Sequence, residues 1–136
     1  RGILYWGTHV LEKDSECWKG ILTVVRELAD NQSLLTAPDS PVAPTIDAWV
    51  MGVFPLSLND NILSLPVLGK TLNGETWWII VNEYFFPVTY TLNGLDTLEG
   101  VVYTDSGSGN EASVRKGALT FSIPRLGIHI LRPASH

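Results

Sequence analysis

The sequence predicts a mainly β protein: a small antiparallel β-sandwich of seven to eight strands preceded by one α-helix. Three observations carry that expectation. Apolar residues recur at helical spacing only near the start of the chain. A segment containing Pro38, Pro41 and Pro44 follows. Beyond it the apolar period changes to two, in short runs separated by turn residues about 8–12 positions apart.

Residues 3–6, Ile-Leu-Tyr-Trp, form a short apolar run that suits a buried strand, and residues 7–14 read as a polar loop. Ser15 can place its side-chain oxygen on the free N–H groups of a first helical turn. Trp18, Ile21, Leu22, Val25 and Leu28 then form an apolar stripe, with Lys19, Arg26 and Glu27 off it. Asp30-Asn31 interrupts the pattern, and the helix should fade over residues 29–34. The proline segment, residues 36–45, reads as a linker, because proline lacks an N–H and restrains its predecessor to extended forms.

After the linker, Trp49, Met51 and Val53 alternate with other residues, and Ile62, Ser64 and Pro66 open an extended segment toward Leu68. Asn73-Gly74 is a hairpin signal. Residues 76–82, Thr-Trp-Trp-Ile-Ile-Val-Asn, are apolar on both faces and should form a central strand. Val88, Tyr90 and Leu92 alternate with Thr89 and Thr91 up to a second turn signal, Asn93-Gly94. Residues 101–104 make another short strand, and residues 105–110, Asp-Ser-Gly-Ser-Gly-Asn, a flexible loop. Leu119, Phe121 and Ile123 alternate, and residues 126–131 should form the last strand. There is no internal repeat.

With 136 residues, of which 45% are apolar and 17% charged, the chain suits one core-forming unit and not a disordered segment. The net charge of −5 and the scattering of nine basic residues argue against nucleic acid as a partner. No apolar run approaches the roughly 20 residues that span a membrane. Cys17 is the sole cysteine, so no intrachain disulfide can form. One Cys with His9, His129 and His136 matches no zinc-ligand spacing, and no cofactor is expected. Cys17 beside Trp18 reads as core filling in preference to a nucleophile.

The run 76–82, then Pro87-Val88-Thr89-Tyr90-Thr91-Leu92, then Gly94-Leu95, resembles the C-terminal β-sandwich of many (β/α)8-barrel glycoside hydrolases. In those domains a strand ending in Val-Asn leads through a short loop into a Pro-Val-Thr strand. A Gly-x-x-x-Phe segment later precedes a final strand with a His-x-hydrophobic ending. Here those are residues 117–121 and 127–131, so the ordered set runs from residue 76 to residue 131. The resemblance implies that Gly2-Ile3-Leu4-Tyr5-Trp6 is the eighth barrel strand, with the helix leading out toward the sandwich. It divides the chain into a terminal strand and helix of a missing barrel (1–35), the linker (36–45) and an accessory sandwich (46–133). The absent initiating Met and abrupt apolar start fit a truncated or processed chain.

A glycosidase of this type needs two carboxylates flanking the scissile bond. By resemblance these would lie on barrel strands upstream of residue 1, so the chain itself is not expected to be an enzyme. Glu12, Asp14 and Glu16 are clustered, but at a helix start, where acids suit the helix dipole. No Ser-His-Asp arrangement stands out, and Gly107-Ser108-Gly109-Asn110 lacks the Lys of a phosphate loop.

Three functions remain in view: an accessory domain stabilising the catalytic barrel, a carbohydrate-binding module, and a stand-alone interaction module. Sugar C–H faces stack on aromatic rings, which makes Trp6, Trp49, Trp77, Tyr84 and Phe85 the candidate carbohydrate-binding residues. Trp77 and Trp78 alternate faces of one strand, so at least one should be buried. Tyr84-Phe85-Phe86 is either a sugar site or the surface that docks the barrel. A polysaccharide and the missing barrel are the expected partners, and the isolated chain is expected to pair with a second copy through the uncovered surface.

Overall fold

The computed structural model of the chain describes residues 15–50 and 65–134. The expected strands at 3–6 and around Met51, Val53, Ile62 and Ser64 lie outside those residues. The chain divides into two compact units, Arg1–Thr36 and Ala37–His136.

In the first unit, helix α1 (Glu16–Asp30) starts where the sequence places it: the Ser15 side chain accepts a hydrogen bond from the Trp18 amide at 3.2 Å. Asn31 ends it, and its side-chain amide donates to the Glu27 carbonyl. A single further turn, α2 (Gln32–Leu35), follows. No residue of α1 is buried. Cys17, expected in a core, is instead exposed, so its small apolar side chain fills no core position.

The second unit is a β-sandwich of eight strands. They are β1 (Thr45–Val50), β2 (Val67–Leu72), β3 (Glu75–Val81), β4 (Val88–Asn93), β5 (Val102–Asp105), β6 (Glu111–Ser113), β7 (Ala118–Ile123) and β8 (Ile128–Pro133). One sheet has the order β1-β4-β7 and the other β2-β3-β8-β5-β6, with every pairing antiparallel.

The period-2 pattern decides which side chains meet. On β4, Val88, Tyr90 and Leu92 face inward, with no solvent exposure, and on β7 Leu119, Phe121 and Ile123 join them. From the five-stranded sheet come Trp78, Ile80, Tyr103 and Leu131, all fully buried. Each fully buried large side chain contributes about 1.5–3 kcal/mol relative to its exposed state. β3, expected as a central strand, is paired on both sides, by β2 and by β8. Trp78 is buried and Trp77 half-buried, as alternation on such a strand requires.

The turns follow the predicted chemistry. Asn73 (φ 53°) and Gly74 (φ 81°) both take the left-handed region, as a two-residue hairpin between β2 and β3 demands. Gly69 sits directly opposite Trp78, and a Cβ there would lie 2.6 Å from the Trp78 ring. Residues 105–110 are more ordered than a flexible loop. Asp105 ends β5, and its carboxylate accepts from the Ser108 amide (2.8 Å) and hydroxyl (2.7 Å).

The proline segment is not a free connection either. The Ser40 amide donates to the Gly69 carbonyl, and the Thr71 amide donates to the Pro38 carbonyl. Lys70 Nζ reaches both the Asp39 carboxylate (2.7 Å) and the Ala37 carbonyl (3.0 Å). Residues 38–40 therefore run along the outer edge of β2. Proline, which cannot continue a ladder, still lends a carbonyl to it.

Candidate functional site

The aromatic connection Tyr84-Phe85-Phe86 joins β3 to β4 across the two sheets. Its shape is set by Asn82, the residue after β3, which is 1% exposed. The Asn82 side-chain amide donates to the carbonyls of Phe86 and Pro124, both at 2.9 Å, and its oxygen accepts from the Tyr84 amide at 3.0 Å. One buried side chain thus ties this connection to the β7–β8 turn. The Leu126 amide completes the tie by donating to the Tyr84 carbonyl. Leu126 itself takes φ 50°, a strained conformation for a leucine, and the next residue, Gly127, packs so closely on Pro124 that a Cβ would meet its ring at 2.8 Å.

This framework holds large apolar side chains in water. The Tyr84 and Phe86 rings stack with centroids 5.3 Å apart. Phe85 is 80% exposed, Ile128 60% and Leu126 58%. Phe85 and Leu126 on hydrogen-bonded loops, with Ile128 at the start of β8, form an apolar tip of the kind that marks an interaction surface.

Beside the tip lies a pocket of about 210 Å³ lined by Asp105, Gly107, Ser108, Pro124, Ile128 and His129. His129 faces inward because β8 alternates, with Leu131 two positions on. Its Nδ1 pairs with the Tyr90 hydroxyl at 3.0 Å, a polar bond that crosses between the two sheets. The Phe121 ring stands edge-on to the same imidazole, centroids 5.8 Å apart. Burial holds the His129 pKa below its ordinary value, with the nearby Asp105 charge pulling the other way. For Asp105, burial acts to raise the pKa. The Ser108 hydroxyl and amide, the His129 charge and the Gly107 amide outweigh it, leaving the carboxyl below the usual range. Burial also raises the Tyr90 hydroxyl far above its ordinary range. The second carboxylate oxygen of Asp105, Oδ1, is buried and has no hydrogen-bond partner.

The carbohydrate-binding candidates do not converge. Trp49 is half-buried on the outer face of the three-stranded sheet, since Ala48 beside it points into the core. Trp77 lies on the outer face of the other sheet, opposite Lys70, with its indole nitrogen out of solvent. Tyr84 and Phe85 belong to the tip, and Trp6 lies outside the described residues, as do Glu12 and Asp14. Glu16 forms an exposed ion pair with Lys19, which suits a helix start and no catalytic role.

Around Trp49 the sheet face is polar. Thr89, opposite it, hydrogen-bonds Ser122 at 2.8 Å, and one row along Thr91 bonds Thr120 at 2.7 Å. Asn93 donates to the Asp47 carboxylate at 2.9 Å.

Sequence reading singled out neither Asn82 as an anchor nor the Tyr90–His129–Asp105 cluster. The available signal was β-alternation on the last strand, which turns His129 inward with Leu131. The partners, however, come from strands far apart in the chain.

Among the described residues no group of three or more His, Cys, Asp or Glu could hold a metal ion. No helix there is long and apolar enough to cross a membrane. Fold and site together define a small two-sheet antiparallel β-sandwich with a rigid apolar tip. Comparison of the sequence with protein-family models finds no match, and comparison with curated proteins and with solved structures finds none either.

Proposed function

We propose that this chain is a non-catalytic accessory β-sandwich of a glycoside hydrolase, and that its apolar tip docks on the catalytic barrel. The observation that carries the reading is the exposure of Phe85 and Leu126, on loops tied together by the buried Asn82, and of Ile128 at the start of β8. A large apolar side chain on a backbone already held by hydrogen bonds spares a partner the cost of ordering that backbone. Such pre-ordered anchors dominate interface energetics. The glycoside hydrolase assignment rests on the ordered resemblance of residues 76–131. The test is the natural polypeptide containing this chain, carrying Phe85→Ser and Ile128→Ser together. We expect unchanged glycan hydrolysis at low temperature and a lower inactivation temperature of the barrel. An inactivation temperature equal to that of the unsubstituted protein would remove the tip from the docking surface.

A carbohydrate-binding module is a second reading, favoured by the outer face of the three-stranded sheet. There Trp49 stands at the end of the Thr89–Ser122 hydroxyl row, with the Thr91–Thr120 row and the Asp47–Asn93 pair beside it. The exposed Thr91 and Thr120 hydroxyls, paired to one another, keep spare hydrogen-bonding capacity for a sugar, and the indole offers a stacking face. Tryptophan fluorescence of the chain with soluble β-glucans, xylan and mannan tests it. A saturable change lost in Trp49→Ala supports the module, and no change with any glycan excludes it.

A further inference from the structure

The tip has a polar element that apolar docking alone leaves unused. Asp105 is 2% exposed, lines the pocket beside Ile128, and holds one carboxylate oxygen buried with no donor to meet it. A buried acceptor without a partner is costly, more so when charged. The other oxygen is fully used by the Ser108 amide and hydroxyl. The ion pairs among the described residues are Lys19–Glu16 and Lys70–Asp39, so no Lys or Arg among them pairs with Asp105, on which only the buried His129 acts as a neighbouring titratable group. Arg125, next to Pro124, is exposed and is not among the residues lining the pocket.

We infer that this pocket receives a basic side chain, Lys or Arg, from the surface that docks on the tip, an assignment that rests on the docking reading above. Volume and chemistry both select this occupant. At about 210 Å³ the space is smaller than the roughly 300–1,000 Å³ that holds a drug-sized ligand. It suits one side chain. The walls divide into an apolar rim, Pro124 and Ile128, and an acceptor set, Asp105 with the Ser108 and His129 groups. An alkyl stem ending in a cation matches both parts, the stem on the rim and the donors on the carboxylate. Two protein ligands, Asp105 and His129, are too few for a structural zinc ion, which takes four. The pocket is continuous with the tip through Ile128, so a partner covering Phe85 and Leu126 brings its side chains to the pocket's mouth. Because Oδ1 is closed to solvent, entry of a donor requires the exposed turn at residues 106–110 to shift outward.

The probes are methylguanidinium chloride and n-butylammonium chloride, titrated at constant ionic strength into the isotopically labelled 136-residue chain and followed by NMR. We expect saturable shifts at Gly107, Ser108, Ile128 and the His129 ring, extending through the 106–110 turn. Affinity should fall about tenfold or more in Asp105→Asn, the loss expected for one charge-assisted hydrogen bond. Arg125→Ala should leave it unchanged. Ile128→Trp, which fills the mouth from an exposed position, should abolish the shifts and serves if Asp105→Asn disturbs the turn. Phe85→Ser should keep them, so the pocket is read independently of tip docking. No saturable shift with either cation, or equal shifts in Ile128→Trp, would overturn the inference.

Discussion

Asn82 shows how one side chain can organise a surface. Its amide and oxygen satisfy two carbonyls and one N–H that are otherwise left in the interior. Asn82→Ala orphans all three, and we expect a loss of about 2–4 kcal/mol in chemical denaturation. Gly69 is limited by shape instead. The Trp78 ring occupies the place of its missing side chain, so Gly69→Ala should cost about 1–3 kcal/mol by overpacking, read as a lower denaturation midpoint with an unchanged slope. His129 and Asp105 give the stability a pH dependence of fixed sign. Both have folded-state pKa values below their ordinary 6.5 and 3.8, so the unfolded chain binds protons more readily. Their stabilisation is present above those values and is lost as pH falls through the folded ones. Unfolding followed from pH 7 downward should show stability declining first below about 6.5, and His129→Gln should flatten that first decline.

The elements show what is legible in a single sequence. The Ser15 cap, the Asn73-Gly74 hairpin and the alternation of β4 and β7 depend on neighbours along the chain, and each is found where local chemistry places it. β6 is different. It has three residues, Glu-Ala-Ser, with no apolar alternation, and it forms because β5 offers an open edge. The last strand begins at Ile128, two residues later than the apolar run 126–131 suggests, because Leu126 and Gly127 are spent on the turn. The tip residues were visible as an unusual run of rings, but their rigidity was not. It depends on Asn82 reaching Pro124, 42 positions away. Since Phe85 is already in water, Phe85→Ser should change the stability of the isolated sandwich by no more than about 0.5 kcal/mol, in contrast to its expected effect on docking. Equal losses in both measurements would make Phe85 a packing residue.

In the molecule as a whole, the chain passes between the sheets repeatedly: from β3 to β4, from β4 to β5, from β6 to β7 and from β7 to β8. Those crossings close the core around Trp78, Tyr90 and Tyr103, and they set residues from distant strands side by side. The Tyr90–His129 bond joins partners 39 positions apart, which no periodicity or spacing rule can pair. Core composition was therefore readable from alternation, whereas sheet order and the pocket were not.

A sheet edge is also a template. β2 lies at the rim of the five-stranded sheet, and its outward Gly69 carbonyl and Thr71 amide are taken by residues 38–40. This short proline-flanked strip occupies the groups that another chain would use to add a strand. Cleavage after Ser40 by a protease, or a recombinant version starting at Thr45, would remove or loosen the strip. The half-apolar run Val67–Leu72 would then be open to neighbouring molecules, and fibrillar aggregation of the shortened protein, seen as thioflavin binding absent from the intact one, is the expected result.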